Sequence, residues 1–339
     1  MSLKKIGERT FKLNNPPSIL GNYSIVGPKE GDGPLKDYFD EILEDDLWGE
    51  ESFEKAETKI QEQTIRAAIE NANLSLSDID LLLSGDLLNQ IVASGYSARG
   101  LSIPFIGLYG ACSTMTESLA VGAMFIDGGF GDKIVCATSS HFSSAERQFR
   151  FPLEYASQRK FSAQWTVTGS GATILSAAGE GPFITYVTPG KIVDPGIKDA
   201  SNMGAAMAPA AIDTLISHFK DTGFEPSDYD LIITGDLGII GKSIVMDMMK
   251  EEGYDLEGIF TDCGAEIFDP YKQDTHAGGS GCGCSAVVFN GYILKEMKKG
   301  RFKRVLLAAT GALHSPLITQ QGESIPSISH AVTIDINRI

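Results

Sequence analysis

An eleven-residue segment of this chain occurs twice in closely similar form. Ser77-Asp-Ile-Asp80-Leu-Leu-Leu-Ser-Gly-Asp86-Leu87 returns without a gap, 150 residues later, as Ser227-Asp-Tyr-Asp230-Leu-Ile-Ile-Thr-Gly-Asp236-Leu237. A second register, offset by 172, pairs Cys112-Ser113 with Cys284-Ser285, and Gly128, Phe130 and Thr138 with Gly300, Phe302 and Thr310. Self-similarity over half the length of a chain means two copies of one supersecondary unit related by a pseudo-twofold axis. A ligand site near that axis is built from both halves.

The 339 residues suffice for two fused halves with a large core. A formal net charge of −16 argues against a nucleic-acid partner, which needs an extended basic footprint to release phosphate counterions. A small anionic ligand is not excluded, because it responds to local groups. The five cysteines have no metal-site spacing, and Cys282-Gly-Cys284 is one residue short of a CxxC pair. An odd number of mostly apolar-flanked thiols fits a reducing compartment, with no metal site expected. The start, Met1-Ser-Leu-Lys-Lys-Ile-Gly, carries no signal-peptide pattern, and the longest apolar run, 305–313, is too short to span a bilayer. Membrane association is therefore expected only through other proteins.

Three segments follow: an irregular N-terminal arm over 1–50, a first half over 51–180 and a second over 181–339. The arm carries turn signals at Asn14-Asn-Pro-Pro17 and Gly31-Asp-Gly-Pro34, then eight acidic residues between Asp37 and Glu51, read as a solvated face. Residues 53–73 are helical, with Ala56, Ile60, Ile65, Ala68 and Ile69 favouring one side. Strands are expected at 79–83, 103–109 and 132–138, with a buried helix over 112–126. Strands 166–177 and 182–188 are expected to pair with each other. In the second half helices are expected at 206–219, 242–252 and 285–298, and strands at 229–234, 258–261, 304–310 and 331–336. Alternation of this kind predicts an α/β fold with mainly parallel sheets, the two halves face to face and helices 112–126 and 285–298 between them.

Cys112 follows a strand and opens a helix. A thiol in that first turn feels the positive end of the helix dipole, which favours thiolate, although on spacing alone a small apolar filler of a core is the plainer reading. The duplicated βα halves, Gly110-Ala-Cys112-Ser-Thr at the head of a buried helix, Thr168-Gly-Ser-Gly-Ala-Thr173 and Thr310-Gly-Ala resemble the thiolase superfamily, which includes the ketoacyl synthases. The resemblance covers most of 53–339 and implies a duplicated, layered αβαβα fold. It also implies a cysteine paired with a His, and with a second His or Asn, from the second half. Where the first partner belongs, after strand 229–234, this chain reads Gly235-Asp236-Leu237-Gly238. A carboxylate there would raise the thiol pKa. His276, in Asp274-Thr-His-Ala-Gly-Gly-Ser280, is the one histidine near the second position, and a loop histidine without a catalytic role is the preferred reading.

Gly27-Pro-Lys-Glu30, Ala137-Thr-Ser-Ser-His141, Ala145-Glu-Arg-Gln-Phe-Arg150 and Met207-Ala-Pro-Ala-Ala211 are similar to a sporulation branch of that superfamily. That resemblance implies a non-catalytic binding protein for dipicolinic acid, free or as its calcium chelate, with calcium present only in the ligand and no other cofactor. It implies membrane-embedded transport partners at the forespore or spore inner membrane, and homodimers. Ser139, Ser140 and His141, at the carboxyl end of a strand, and Arg147 and Arg150 just beyond are candidate ligand contacts. Cys112, Ser113, Asp236 and Ser280 complete the set, with backbone N–H groups near Cys112 and Gly281 suited to a second carboxylate. Ion pairing for the arginines and helix capping for Asp86 and Asp236 are the plainer alternatives. The competing functions are a Cys112-dependent acyl transferase with His276 as base, and a scaffold whose pocket stays empty.

Overall fold

The computed structural model describes residues 4–149 and 159–338. Ten strands form the spine: β1 (Ser18–Val26), β2 (Leu81–Gly85), β3 (Phe105–Gly107), β4 (Lys133–Ser140), β5 (Gly169–Ser176), β6 (Phe183–Thr188), β7 (Leu231–Thr234), β8 (Phe260–Asp262), β9 (Arg304–Ala312) and β10 (Ser327–Asp335). Their order, β8-β7-β9-β10-β6-β1-β5-β4-β2-β3, reads the same from either edge once each strand is exchanged for its repeat. The two halves meet where Phe183 of β6 pairs with Ser18 of β1.

The repeated peptide has a structural cause. Asp80 Oδ2 accepts from the backbone N–H groups of Asp132 and Lys133 at 2.7 and 2.9 Å. Asp230 Oδ2 does the same for Lys303 and Arg304 at 2.6 and 3.0 Å. In each half one aspartate thus clamps the start of the next parallel strand, satisfying N–H groups that no ladder reaches.

Helix α1 (Phe53–Asn71) starts at Ser52, whose hydroxyl accepts from Lys55 N, and buries Ala56, Ile60, Ile65, Ala68 and Ile69, the face its periodicity predicts. With α2 (Val92–Leu101) it covers the outside of the first half-sheet. Between the half-sheets lie α3 (Thr114–Asp127) and, beyond α4 (Phe142–Phe149), the helix of the second half. Helices α5 (Met203–Thr222) and α6 (Gly238–Glu251) cover the far side. The inner helix of the second half, α7 (282–298), contains a π-turn over Val288–Ile293. Both inner helices are apolar nearly all round because each faces a sheet on two sides. The glycines of 168–173 serve this packing: a Cβ on Gly171 would lie 2.4 Å from Ala286 O of α7. No helix among the described residues is long and apolar enough to cross a membrane.

Four expectations are corrected. The segment 1–50 is not an irregular arm, since β1 runs through the middle of the sheet. Its pattern is hidden because Asn22 and Ser24 are buried polar residues, with Asn22 donating to Asn290 O at the π-turn and Ser24 bonded to Asp40. Asp40 also pairs with Lys295 at 2.7 Å, so the acidic run is partly packed rather than wholly solvated. Strands β5 and β6 are not partners, because β1 lies between them. The sheet is mixed rather than mainly parallel: β3-β2-β4 and β8-β7-β9 are parallel, and β5, β1, β6 and β10 are joined antiparallel.

Candidate functional site

Cys112 lies in a single 3₁₀ turn, Ala111–Ser113, that feeds α3. Ala111 holds φ +50°, a left-handed conformation that costs a residue with a Cβ, so the turn is held by its surroundings. Strand β9 supplies part of that hold. Gly311 packs so closely on the turn that an added Cβ would lie 2.1 Å from Gly110 O and 3.2 Å from Cys112 N.

The thiol meets a carboxyl group rather than an imidazole. Asp236, at the end of β7, is fully buried and its charge acts on Cys112. Its Oδ2 accepts from Gly281 N at 2.9 Å and Ser280 Oγ at 3.1 Å, and its Oδ1 accepts from Thr310 Oγ1 at 3.1 Å. Burial nevertheless pushes it up to about 7. Cys112 is driven well above the ordinary thiol range, first by burial and then by the Asp236 charge. The thiolate favoured by the helix dipole is therefore overruled, and the opposing expectation for a carboxylate at this place holds. The repeat has diverged here. Asp86 caps its own segment, accepting from Leu88 N and Ser94 N, whereas the corresponding capping of Leu237 N and Gly238 N is done by Asp262. Asp236 is thereby released toward Cys112.

A cavity of about 240 Å³ opens beside Cys112. Leu87, Tyr109, Ala111, Ala145 and Phe149 form its first-half wall, and Met203, Met207, Ser280, Ala312 and His314 its second-half wall. Thr166, Gln164, Arg159 and Lys160 close it from the loop before β5. The wall carries one carboxylate, Glu146, against those two cations. Among the described residues Arg159 Nη1 and Gln164 Oε1 are buried with no hydrogen-bond partner.

Of the residues expected at the site, Cys112 and Ser280 line the cavity and Asp236 stands directly behind them. The other described ones do not line it. Ser113 is buried with its hydroxyl donated to Gly110 O. Ser139 is bonded to Glu57 and Gln61, and Ser140 donates to Val167 O and accepts from Gly283 N. His141 is buried, accepts from Ser143 N and reaches Asp46 O at 2.7 Å, with burial lowering its pKa. These three turn toward α1 and α7 because the end of β4 is covered by both. Arg147 is an exposed partner of Glu54 at 3.0 Å, the plainer reading of that residue. Arg150 lies outside the described residues. The Gly281 N–H offered for a carboxylate is taken by Asp236.

His276 bonds Lys160 O and Asp274 and is not on the cavity wall. His314 is on the wall, bonded to Thr319 and 5.7 Å from the Phe149 ring, with burial lowering its pKa. No histidine among the described residues is bonded to the thiol. Arg159, Gln164 and His314 had no local motif to announce them, although His314 follows the recognised Thr310-Gly-Ala by two residues. Among the described residues no group of three or more His, Cys, Asp or Glu is placed to hold a metal ion.

Comparisons with known proteins bear on the family and the fold. A family model described as stage V sporulation protein AD matches residues 7–335. The stage V sporulation protein AD of Bacillus subtilis (strain 168) is 46% identical over 333 residues, 98% of each chain. Among solved structures, 3-oxoacyl-[acyl-carrier-protein] synthase III from Aquifex aeolicus VF5 is 13% identical with a TM-score of 0.58, covering 94% of this chain and 99% of that one. Human mitochondrial 3-ketoacyl-CoA thiolase is 12% identical with a TM-score of 0.60, covering 96% and 99%. The two structures speak for the fold alone. With the family match spanning nearly its whole length, the chain belongs to the stage V sporulation protein AD family, built on a thiolase-like, layered α/β architecture.

Proposed function

We propose that this protein binds and does not transform: its cavity takes dipicolinate, free or as the calcium chelate, and passes it to membrane-embedded partners of a sporulation transport system. The observation that carries the reading is the buried Asp236 carboxyl set against Cys112, where it raises the thiol pKa. A condensing cysteine needs a neighbouring base that lowers its pKa, and this neighbour raises it. The cavity also suits a small planar anion. Tyr109, Phe149, Met203 and Met207 offer apolar surface to a ring, while Arg159 and Lys160 offer charge to a carboxylate. A soluble binding chain can work at the forespore or spore inner membrane when partner proteins hold it there.

The test is calorimetry of the purified chain with dipicolinate, with and without calcium, alongside acyl-CoA turnover followed by mass spectrometry of the protein. Saturable dipicolinate binding that survives Cys112→Ser, with no acyl adduct on Cys112, is expected. A Cys112 acyl-enzyme formed at a steady rate would replace this reading with acyl transfer.

A further inference from the structure

Two carboxyl groups are buried together behind the first-half wall of the cavity. Glu57 belongs to α1 and Asp86 follows β2, and among the described residues no lysine, arginine or histidine is paired with either. A chain of hydrogen bonds joins them. Glu57 Oε1 accepts from Ser139 Oγ at 3.1 Å, Gln61 Nε2 donates to Ser139 Oγ at 3.1 Å and to Ser94 Oγ at 3.0 Å, and Ser94 N donates to Asp86 Oδ2 at 2.8 Å. One buried charge without a partner is costly, and a second of the same sign beside it more so, so the pair keeps a proton. That proton belongs to Glu57. Asp86 has the N–H groups of Leu88 and Ser94, donors that favour an ionised acceptor, whereas Glu57 meets hydroxyls that can turn to accept. Burial first, and then the Asp86 charge, push Glu57 up to about 8.

Both acids hold pieces of that wall. Asp86 Oδ1 accepts from Leu88 N at 2.9 Å, which fixes the turn that carries Leu87. Glu57 Oε2 lies 2.7 Å from Ser144 Oγ in the first turn of α4, beside Ala145. Leu87 and Ala145 line the cavity and pack with Cys282 in one apolar cluster. Ser144 Oγ is also 3.1 Å from His141 O, and a hydroxyl has one hydrogen to give. Protonated Glu57 donates to Ser144 Oγ, whose own hydrogen goes to His141 O, so both contacts are made. Ionised Glu57 draws that hydrogen to itself, and the contact with His141 O is given up. The other titratable groups around Glu57 do not compensate. Glu54 on its own helix adds negative charge and is paired with Arg147 of α4. Burial keeps His141 of the β4 end and Cys282 of α7 neutral, and α2 contributes the Ser94 hydroxyl.

We propose that Glu57 and Asp86 form a proton-controlled latch: the proton on Glu57 keeps the first turn of α4 seated against the cavity wall, and its loss unseats that turn and frees a bound acid. The latch is a property of the wall, and its effect on a ligand rests on the binding reading above. Trp165 reports on it, because Phe142, the first residue of α4, lies on the indole at 3.7 Å with 4° between the planes. Lys29 and Arg159 also stand over that indole, 4.1 and 4.8 Å from its centroid, and Glu30, next to Lys29, is pushed by burial up to about 8 as well. A Glu30 variant therefore serves as the control.

The experiment is Trp165 fluorescence in a Trp48→Phe background, titrated from about pH 6 to about pH 10 on the parent, Glu57→Gln, Ser144→Ala and Glu30→Gln, with melting temperatures confirming the fold. The parent is expected to show one transition with its midpoint near 8. Glu57→Gln is expected to hold the low-pH signal throughout, because the amide donates to Ser144 as the protonated acid does. Ser144→Ala, which leaves Glu57 in place and cuts its tie to α4, is expected to lose the transition too, and Glu30→Gln to keep it. By calorimetry the parent should lose roughly three- to tenfold in dipicolinate affinity from about pH 8 to about pH 9.5, a loss absent from Glu57→Gln. A parent without the transition, or a transition that Glu57→Gln retains or Glu30→Gln removes, would overturn the inference and leave the binding reading intact. So would a Glu57-dependent transition across which dipicolinate affinity stays constant. The same transition in a chain that binds no dipicolinate at any pH would keep the latch and sink the binding reading.

Discussion

Replacing Asp236 with asparagine should make Cys112 reactive. The other four cysteines are buried and Cys112 is partly exposed to the cavity, so alkylation of the native chain by iodoacetamide reports on this thiol. At pH 8 Asp236 is above its titration near 7 and therefore ionised against the sulfur. A unit charge about 4 Å away, at an effective dielectric of about 20, opposes thiolate by about 4 kcal/mol, which bounds the gain in thiolate at roughly a thousandfold. Water in the cavity screens part of this, and burial, the largest cause of the raised pKa, remains in the variant. An increase in alkylation rate of about ten- to a hundredfold at pH 8 is therefore expected. The parent rate should keep climbing with pH, whereas the variant should begin its rise earlier. Cys112→Ser must abolish the labelling in both backgrounds. A variant that alkylates within about twofold of the parent across the pH range would mean that the carboxyl does not control the sulfur, and the argument against acyl transfer would lose its basis.

Other outcomes follow from the same geometry. Because Asp236 titrates near 7 behind the cavity, a bound dianion favours its protonated form, so dipicolinate affinity should rise by about tenfold as pH falls from about 8 to 6, a slope that Asp236→Asn should flatten in calorimetry. Glu30 is buried, accepts from Thr168 N with one oxygen and leaves the other unpaired, and burial pushes it up to about 8. Its folded pKa exceeds its unfolded one, so its contribution to stability is complete below the unfolded value near 4.5 and is lost as pH climbs to about 8. Glu30→Gln should therefore raise the urea midpoint at pH 8 to 9 and not at pH 4, with a difference growing by about 1 kcal/mol per pH unit between. Gly311→Ala should lower stability by about 1–3 kcal/mol in urea denaturation and weaken ligand binding with it, because the new methyl displaces the Cys112 turn.

Much of this architecture was written along the chain. The internal repeat implied two halves and a shared axis, and the apolar runs at 81–85, 231–234 and 304–312 marked the inner strands whose neighbours on both faces are apolar. The aspartate after β7, where the family resemblance calls for a histidine, announced a carboxyl group as the neighbour of the thiol. Those signals are local: they depend on a residue's type and its distance along the chain from a recognised motif.

What remained required three dimensions. Strand β1 carries Asn22 and Ser24 where periodicity asks for apolar residues, and the carbonyl of Asn290, 268 residues away, together with the Lys298 ammonium makes Asn22 tolerable there. Ser139, Ser140 and His141 stand at a strand end where ligands commonly gather, yet helices packed across that end turn them inward. Arg159 and Gln164 sit in a loop with no pattern of its own and acquire meaning from an indole beneath one and two distant carbonyls around the other. Periodicity records which way a side chain points relative to its own backbone. What it meets there is set by elements that arrive from elsewhere in the chain, and that is where a binding site's selectivity resides.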